Sequence, residues 1–146
     1  MAVGSRLANG DGDTTGECLE IDAGGTSTTT VVMRTCHTNA HQSWYFTAHT
    51  GGVIAIRSHD PDAAGRCLTA GVFQDLPVRM AACPTVGAPQ AWHIVGDPDG
   101  WFQLRNHAYS DQCLDVSANG LGDVVKTWGC RTTSNGNQLW KWRSVG

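Results

Sequence analysis

Three side chains in the last third of the sequence could bind a ligand. Asp115 lies two residues after Cys113, and Lys126 and Trp128 come shortly before Cys130. An ionised carboxylate accepts strong hydrogen bonds from hydroxyl groups, and an indole ring offers a flat apolar surface to C–H groups. These residue types therefore suit a ligand that combines hydroxyl groups with an apolar face.

Catalysis is not predicted. A glycosidase needs two carboxyl groups roughly 5 to 9.5 Å apart, and the sequence repeats place Glu20 and Asp115 in different units. The sequence contains no GxSxG or other hydrolase signature. We therefore expect a binding protein with no catalytic residues and no cofactor.

No metal site is predicted either, because the sequence has no CxxC and no Cys/His cluster with zinc spacing. His59, Asp60 and Asp62 in SHDPD form a weak candidate cluster, but the proline and the small residues favour a solvated turn. The remaining histidines show no metal spacing; they are His37, His41, His49, His93 and His107.

The chain repeats itself three times. The first cysteine of each unit recurs after 49 and 46 residues, and the second recurs after 47 and 47. QSW at 42 to 44, QAW at 90 to 92 and QLW at 138 to 140 follow at a constant spacing of 48. We predict one domain over residues 5–146, with repeats at 5–50, 51–97 and 98–146.

The repeats predict an all-β fold. Each contains about four short apolar runs separated by clusters of Gly, Asp, Asn, Pro or Thr, and no stripe with helical period is evident. A unit of this size cannot bury its own apolar face, so the three must pack together. Closing the set would hide the strand edges and give a barrel-like body.

The cysteine count and the charge restrict the environment and the partners. Six cysteines, two in each repeat, suggest three disulfides and a secreted, extracellular protein. A net charge of -3 without a basic run argues against nucleic acid. No apolar stretch could insert in a membrane, and MAVGSRLANG lacks the regions of a signal peptide.

Strand alternation and a disulfide together predict a register. Leu114 and Val116 would face the core, which puts Asp115 on the outer side of its strand. If Cys113 and Cys130 are bridged across antiparallel neighbours, Asp115 lies opposite an outward Trp128. The equivalent pairs are Glu20 with Arg34 and Thr69 with Ala81. Only the third repeat then offers an unpaired acceptor beside an exposed ring, an arrangement that suits a pyranose sugar.

These motifs resemble those of a known family. CLDV at 113 to 116, a tryptophan two residues before the second cysteine, and NQLW at 137 to 140 are similar to the ricin B-type lectins with their QxW signature. The resemblance covers nearly the whole chain. It implies a β-trefoil of twelve strands, up to one shallow sugar pocket per repeat, and galactose-like or xylose-like ligands.

The resemblance assigns pocket residues in each repeat. The third repeat matches the family best, with a departure at Lys126, where the family often has Gln. A lysine only donates, so it could reach a hydroxyl, pair with Asp115 or favour an acidic sugar. The predicted sugar-binding residues are Asp115, Lys126, Trp128, Asn137 and Gln138. A weaker second site would use Glu20, Arg34, His41 and Gln42, whereas Thr69, Ala81 and Pro89 indicate a lost pocket in the second repeat.

Structural roles compete with these assignments. The three QxW glutamines are predicted to tie the chain to neighbouring backbone, because buried amides need partners. The three QxW tryptophans are predicted to lie in the core. Asp115 could merely start the turn at SANG, and Trp128 could shield the disulfide.

The sequence is compatible with two classes of function. The first is a lectin or carbohydrate-binding module whose partner is a glycan, with a tethered catalytic domain or self-association supplying valency. The alternative is a protein-interaction or cell-targeting subunit of a toxin or secreted complex that has largely lost sugar binding.

Overall fold

The structure, a computed structural model, describes residues 5–22, 29–73, 75–116, 125–131 and 136–143. Within these ranges the regular structure consists of strands and four short 3-10 helices. None of the described helices has the length and apolar character to cross a membrane. The strands are β1 (Arg6–Asn9), β2 (Glu17–Ile21), β3 (Val31–Thr35), β4 (Trp44–Ala48), β5 (Ile54–Ser58), β6 (Arg66–Thr69), β7 (Arg79–Ala82), β8 (Trp92–Gly96), β9 (Phe102–Asn106), β10 (Gln112–Val116), β11 (Val125–Gly129) and β12 (Trp140–Arg143). The 3-10 helices are Gly12–Thr14, Ala40–Gln42, Pro61–Ala63 and Ala88–Gln90.

Six strands form a closed antiparallel barrel. The pairs run β1–β12, β12–β9, β9–β8, β8–β5 and β5–β4. A hydrogen bond from the Trp44 amide to the Ser5 carbonyl, 2.9 Å long, connects the β4 end of this series to the β1 end. The other six strands form the hairpins β2–β3, β6–β7 and β10–β11. The predicted β-trefoil is confirmed, and each predicted repeat contains four of the described strands.

The three QxW tryptophans join the barrel to the hairpins. Trp44, Trp92 and Trp140 are fully buried in one hydrophobic core. Their indole N–H groups donate to the carbonyls of the first hairpin strands, at 2.8 Å to Leu19, 3.1 Å to Leu68 and 3.1 Å to Leu114. Each indole therefore contributes apolar area to the core and satisfies a buried backbone acceptor.

Three disulfides hold the hairpins, one in each repeat, as predicted. They join Cys18 to Cys36, Cys67 to Cys83 and Cys113 to Cys130. Structural disulfides persist mainly in oxidising compartments, so they support an extracellular environment.

The predicted register is wrong by two residues. Asp115 lies opposite Lys126, and Trp128 lies opposite Cys113. The reason is that the second cysteine follows the end of its strand: the Cys130 amide donates to the carbonyl of Asp111, so the disulfide joins diagonal neighbours. Asp115 and Trp128 are thus diagonal neighbours on one side of the hairpin. The same shift places Glu20 opposite Val32 and Thr69 opposite Arg79.

The outer side of the first hairpin strand is covered. Glu20, Thr69 and Asp115 were expected on an outer, solvent-facing side, yet their relative exposures are 7%, 6% and 2%. In each repeat the QxW glutamine packs against this side and donates a hydrogen bond to the side chain of Glu20, Thr69 or Asp115. A polar side chain here is therefore buried with a hydrogen-bond partner.

A contact between two glycines sets the position of the turn before the third QxW motif. Gly136 has a φ of +98°, and a Cβ added to it would lie 2.2 Å from the carbonyl oxygen of Gly10. Only glycine allows the two backbones to approach so closely. This contact fixes the start of the segment that carries Asn137 and Gln138.

The first prediction concerns this glycine. Gly136→Ala should lower the free energy of unfolding by at least about 2 kcal/mol. The new Cβ is unfavourable at a positive φ, and it would also clash with the backbone of Gly10. Gly12→Ala is the matched control, since a Cβ there meets nothing within 4 Å. Urea denaturation measures both variants, and equal losses in the two would contradict the role assigned to the glycine contact.

The second prediction concerns the disulfides, whose cysteines are 16 to 18 residues apart. Replacing Cys113 and Cys130 together by serine should lower the free energy of unfolding by about 3 kcal/mol, because the unfolded chain gains loop entropy. The corresponding pairs in the other two repeats should give similar losses. A urea midpoint that does not change on reduction of the wild type would refute this expectation.

Candidate functional site

Asp115 lies at the base of the predicted third-repeat site. Its Oδ1 accepts a hydrogen bond of 3.0 Å from the Asn137 amide, and its Oδ2 accepts one of 2.9 Å from the Gln138 amide. The expectation of an unpaired acceptor is therefore wrong. A carboxylate has about four acceptor positions, so each oxygen keeps capacity for a further hydroxyl donor.

Gln138 also has a structural role. Its Oε1 accepts from the Arg131 amide at 2.9 Å, and its Nε2 donates to the Gly129 carbonyl at 2.8 Å. Gln42 and Gln90 make equivalent bonds to the carbonyls of Thr35 and Ala82. The backbone role predicted for these glutamines is observed in all three repeats.

Lys126 and Trp128 extend the site along β11. The Lys126 ammonium lies 5.1 Å from the centroid of the Trp128 ring, a distance at which a cation–π interaction is favourable. Lys126 does not bond to Asp115, although the two are opposite in register. It forms an ion pair with Asp75 of the second repeat, at 2.5 Å from Nζ to Oδ1. Trp128 is half-buried and lies opposite Cys113, so it can shield the disulfide from solvent and still present part of its ring to a ligand.

The electrostatics of Asp115 follow from its burial. Burial raises the pKa of Asp115 above its ordinary value of 3.8, and this is the largest influence on it. The hydrogen bond from Gln138, the charges of Lys126 and Arg131, and the hydrogen bond from Asn137 oppose that rise in the pKa. The site therefore holds a carboxylate whose proton affinity is above normal.

Asn137 supplies a further acceptor. Its amide nitrogen is engaged with Asp115, while its Oδ1 is buried and has no hydrogen-bond partner among the described residues. An unpaired buried acceptor costs free energy, which a hydroxyl donor from a ligand would offset. The five predicted residues of the third repeat are therefore brought together, and their sugar-binding role stays a prediction. The SANG segment, where the sequence predicts a turn, lies outside the described residues.

The first repeat has a pocket of different composition. Glu20 is joined to His37 at 2.6 Å and to Gln42 at 3.1 Å. The pair predicted between Glu20 and Arg34 is only a long ion pair of 3.9 Å, because Arg34 bonds to Asp22 at 2.9 Å. A shallow cavity of about 430 Å³ is lined by Glu20, His37, Thr38, Asn39 and His41.

Sequence reasoning missed His37 and Asn39 in this cavity. His41 is turned to another partner, with its Nδ1 2.5 Å from Asp60 Oδ2. The Asn39 side chain caps the 3-10 helix Ala40–Gln42 by accepting from the His41 amide, and an Asn three residues before the QxW Gln could have indicated that cap. His37 follows the second cysteine directly, where no family motif points to a role.

The second repeat has neither a carboxylate nor an aromatic ring at these positions. The Thr69 hydroxyl donates to the Cys67 carbonyl and accepts from Gln90, at 3.0 and 3.2 Å. Pro89 lies within the 3-10 helix Ala88–Gln90, where the matching residue of the third repeat is Asn137. The hydroxyl is thus used within the protein.

The SHDPD segment forms a turn. Asp60 accepts from the Asp62 amide and caps the 3-10 helix Pro61–Ala63, while His59 bonds to Ser43. Across the described part of the chain, no group of three or more His, Cys, Asp or Glu side chains could hold a metal ion.

The sequence profile of the ricin-type beta-trefoil lectin domain matches residues 9–101 and 65–146, which together span most of the chain. The chain belongs to the ricin-type β-trefoil lectin family. The resemblance predicted from the QxW motifs is confirmed, and membership of a lectin family supports carbohydrate binding as the general activity. No curated protein matches the chain by sequence.

Solved structures with the same fold include lectins and parts of larger proteins. A Macrolepiota procera ricin B-like lectin in complex with lactose is 22% identical with a TM-score of 0.70, over 99% of this chain and 98% of its own. An exo-beta-1,3-galactanase from Clostridium thermocellum is 20% identical with a TM-score of 0.79, over 99% of this chain and 31% of its own. A mosquitocidal holotoxin is 12% identical with a TM-score of 0.76, over 97% of this chain and 17% of its own. The chain therefore corresponds to a whole lectin and to less than a third of the other two proteins.

The third prediction concerns the proton affinity of Asp115. A carbon-13 NMR titration, with Asp115→Asn to assign the resonance, should give a midpoint above 3.8. Because the native state then binds this proton more tightly than the unfolded chain, the stability that this group contributes is present at low pH. It is lost as the pH rises through the raised pKa. A midpoint at or below the ordinary value would show that the hydrogen bonds outweigh burial.

Proposed function

We propose that this chain is a carbohydrate-binding lectin domain that recognises galactose-like or xylose-like sugars mainly through the third repeat. The observation that carries the proposal is the grouping of a buried carboxylate, an unpaired amide oxygen and a half-buried indole. Asp115 and Asn137 supply the two acceptors, and Trp128 supplies the ring.

The polar groups of the site fit the hydroxyls of a sugar. Asp115 can accept from hydroxyl groups while it keeps its bonds to Asn137 and Gln138, and bonds to an ionised acceptor are about twice as strong as neutral ones. The Asn137 Oδ1 would gain the donor that it lacks. Together they would fix which hydroxyl arrangement binds.

Trp128 would contribute the apolar part of the binding energy. It is only partly buried, and it lies on the same side of the hairpin as Asp115. A pyranose could lay its C–H face on the ring while its hydroxyls reach the acceptors. Neither Arg34 nor Ala81, at the equivalent positions, offers such a surface.

The first repeat would bind more weakly. We propose Glu20, Arg34, His41 and Gln42 as a weaker site, with His37 and Asn39 added from the cavity lining. Glu20 already accepts from His37 and Gln42, and Arg34 already donates to Asp22, so few acceptors and donors remain for a sugar.

A single shallow site should have modest affinity. A dissociation constant of about 0.1 to 1 mM, or roughly 4 to 5.5 kcal/mol, is expected because few contacts must offset the cost of ordering. Valency would then come from self-association or from a tethered domain. The galactanase and holotoxin chains, of which the matched region is 31% and 17%, are long enough to contain further domains. We propose that the domain works outside the cell, with no catalytic role of its own.

One observation favours the alternative, a subunit that binds protein. The loop between β6 and β7 exposes three large apolar side chains, Val72, Phe73 and Leu76. Exposed apolar clusters often mark interaction surfaces. A glycan array with wild-type protein separates the two functions, because a protein-binding subunit with worn pockets would bind no glycan.

The fourth prediction tests the site assignment. Trp128→Ala and Asp115→Ala should each weaken binding of the best array sugar at least tenfold, because they remove the stacking surface and the charged acceptor. Asp99→Ala is the matched control, since it truncates an exposed carboxylate that lies in the turn between β8 and β9 and belongs to neither proposed site. NMR titration with the sugar measures all four proteins, and circular dichroism shows whether they are folded.

Two outcomes would contradict the proposal. If both third-repeat variants bind as tightly as the wild type, the sugar lies elsewhere. If the wild type binds no glycan on the array, the lectin function itself fails.

A further inference from the structure

A loop of the second repeat borders the third-repeat site. The Asp75 amide donates to the Thr127 carbonyl at 2.7 Å, and the Val78 amide donates to the Val125 carbonyl at 2.9 Å. Between them, Pro77 forms a β-bridge with Lys126. The segment from 75 to 78 thus runs along β11, the strand that carries Lys126 and Trp128.

This placement brings an acidic side chain from one repeat to the cation of another. Asp75 Oδ1 lies 2.5 Å from Lys126 Nζ, and Lys126 also lies over the Trp128 ring. The Lys126 side chain is 20% exposed and that of Asp75 is 59% exposed. The ammonium is therefore partly desolvated between a carboxylate and an aromatic ring.

The backbone at Asp75 fits a short polar residue. Its φ is +69°, the one positive value at a non-glycine residue within the described ranges. Asp and Asn adopt this conformation more readily than other residues with a Cβ. The conformation and the hydrogen bond to Thr127 together direct the loop so that its carboxylate meets Lys126.

We propose that Asp75 determines the charge preference of the third-repeat site, an inference that rests on the proposed sugar-binding function. Paired with Asp75, Lys126 does not offer a free cation to a ligand, while the Asp115 carboxylate repels negative charge. The site therefore takes neutral sugars. An acidic sugar would have to displace the Asp75 carboxylate from Lys126.

Asp75 acts through Lys126 and is a positioning residue. Without the carboxylate, Lys126 keeps its place beside Trp128 and becomes able to pair with the carboxylate of a uronic acid. The ratio of uronide affinity to neutral affinity reports this change. If the loop had only a structural role, substitution of Asp75 would weaken the binding of both ligands by the same factor and leave this ratio unchanged.

The experiment compares two ligands and matched variants. The ligands are the neutral methyl glycoside that binds the wild type best and its uronide counterpart, which carries a carboxylate on the same ring. Asp75→Asn removes the charge and retains a residue that tolerates positive φ, and Asp75→Gly is a second variant in case the first unfolds. Asp99→Asn, an exposed residue in the turn between β8 and β9, controls for the change in net charge.

We expect the wild type to prefer the neutral glycoside. In both Asp75 variants the ratio of uronide to neutral affinity should rise at least fivefold. This gain should shrink at high salt, because it comes from an ion pair between Lys126 and the uronide carboxylate. Adding Lys126→Gln to Asp75→Asn should remove the gain, and Asp99→Asn should leave the ratio at the wild-type value.

The inference fails if the wild type binds the uronide more tightly than the neutral glycoside. It also fails if both Asp75 variants keep the wild-type ratio, or if the gain persists without Lys126. In each of these cases, at least tenfold weaker binding of the neutral glycoside by Trp128→Ala would show that the proposed sugar site stands although the inference about Asp75 fails. Absence of any binding by the wild type would instead refute the proposed function.

Discussion

The structure depends on one amide side chain in each repeat. The QxW glutamine donates to the carbonyl just before the second cysteine and to the side chain two residues after the first. Two residues later, the tryptophan enters the core and donates to the first hairpin strand. One short motif thus connects the barrel to both strands of a hairpin, and the disulfide closes the same unit covalently.

The three repeats share this scaffold but differ in the side chain that accepts the hydrogen bond of the glutamine. The amide meets a glutamate, a threonine or an aspartate, and each can accept its hydrogen bond. Among the described residues, it is in the third repeat alone that the carboxylate also accepts a hydrogen bond from an asparagine and has an indole on its side of the hairpin. In the first repeat, histidine and arginine take the surrounding positions, and the acid is already satisfied by the protein.

The fold could be predicted because the cysteines and QxW motifs repeat at nearly constant spacing, and that spacing reflects the architecture. The residues that meet at the predicted third-repeat site also followed from their motif positions. The register did not, because a cysteine pair is compatible with directly opposite or diagonal residues, and only the backbone bond from Cys130 to Asp111 decides between them. The burial of Asp115 was missed because strand alternation distinguishes two sides but not what covers each of them.

The partner of Lys126 could not be found in the sequence for a different reason. Asp75 is 51 residues away in another repeat, so no motif within one unit links the two. Their contact depends on how the β6–β7 loop packs along β11, which is a tertiary property. His37 was similarly missed because its proximity to Glu20 depends on the path of the chain after the disulfide.

The tolerance of the glutamine amide for different acceptors affects how such a domain can evolve. Since Glu, Thr and Asp all satisfy the same bond, exchanges at that position need not disturb folding. A repeat without a ligand pocket can therefore still supply its strands to the barrel. Such a repeat can also place a side chain beside the site of its neighbour, as the second repeat places Asp75 against Lys126.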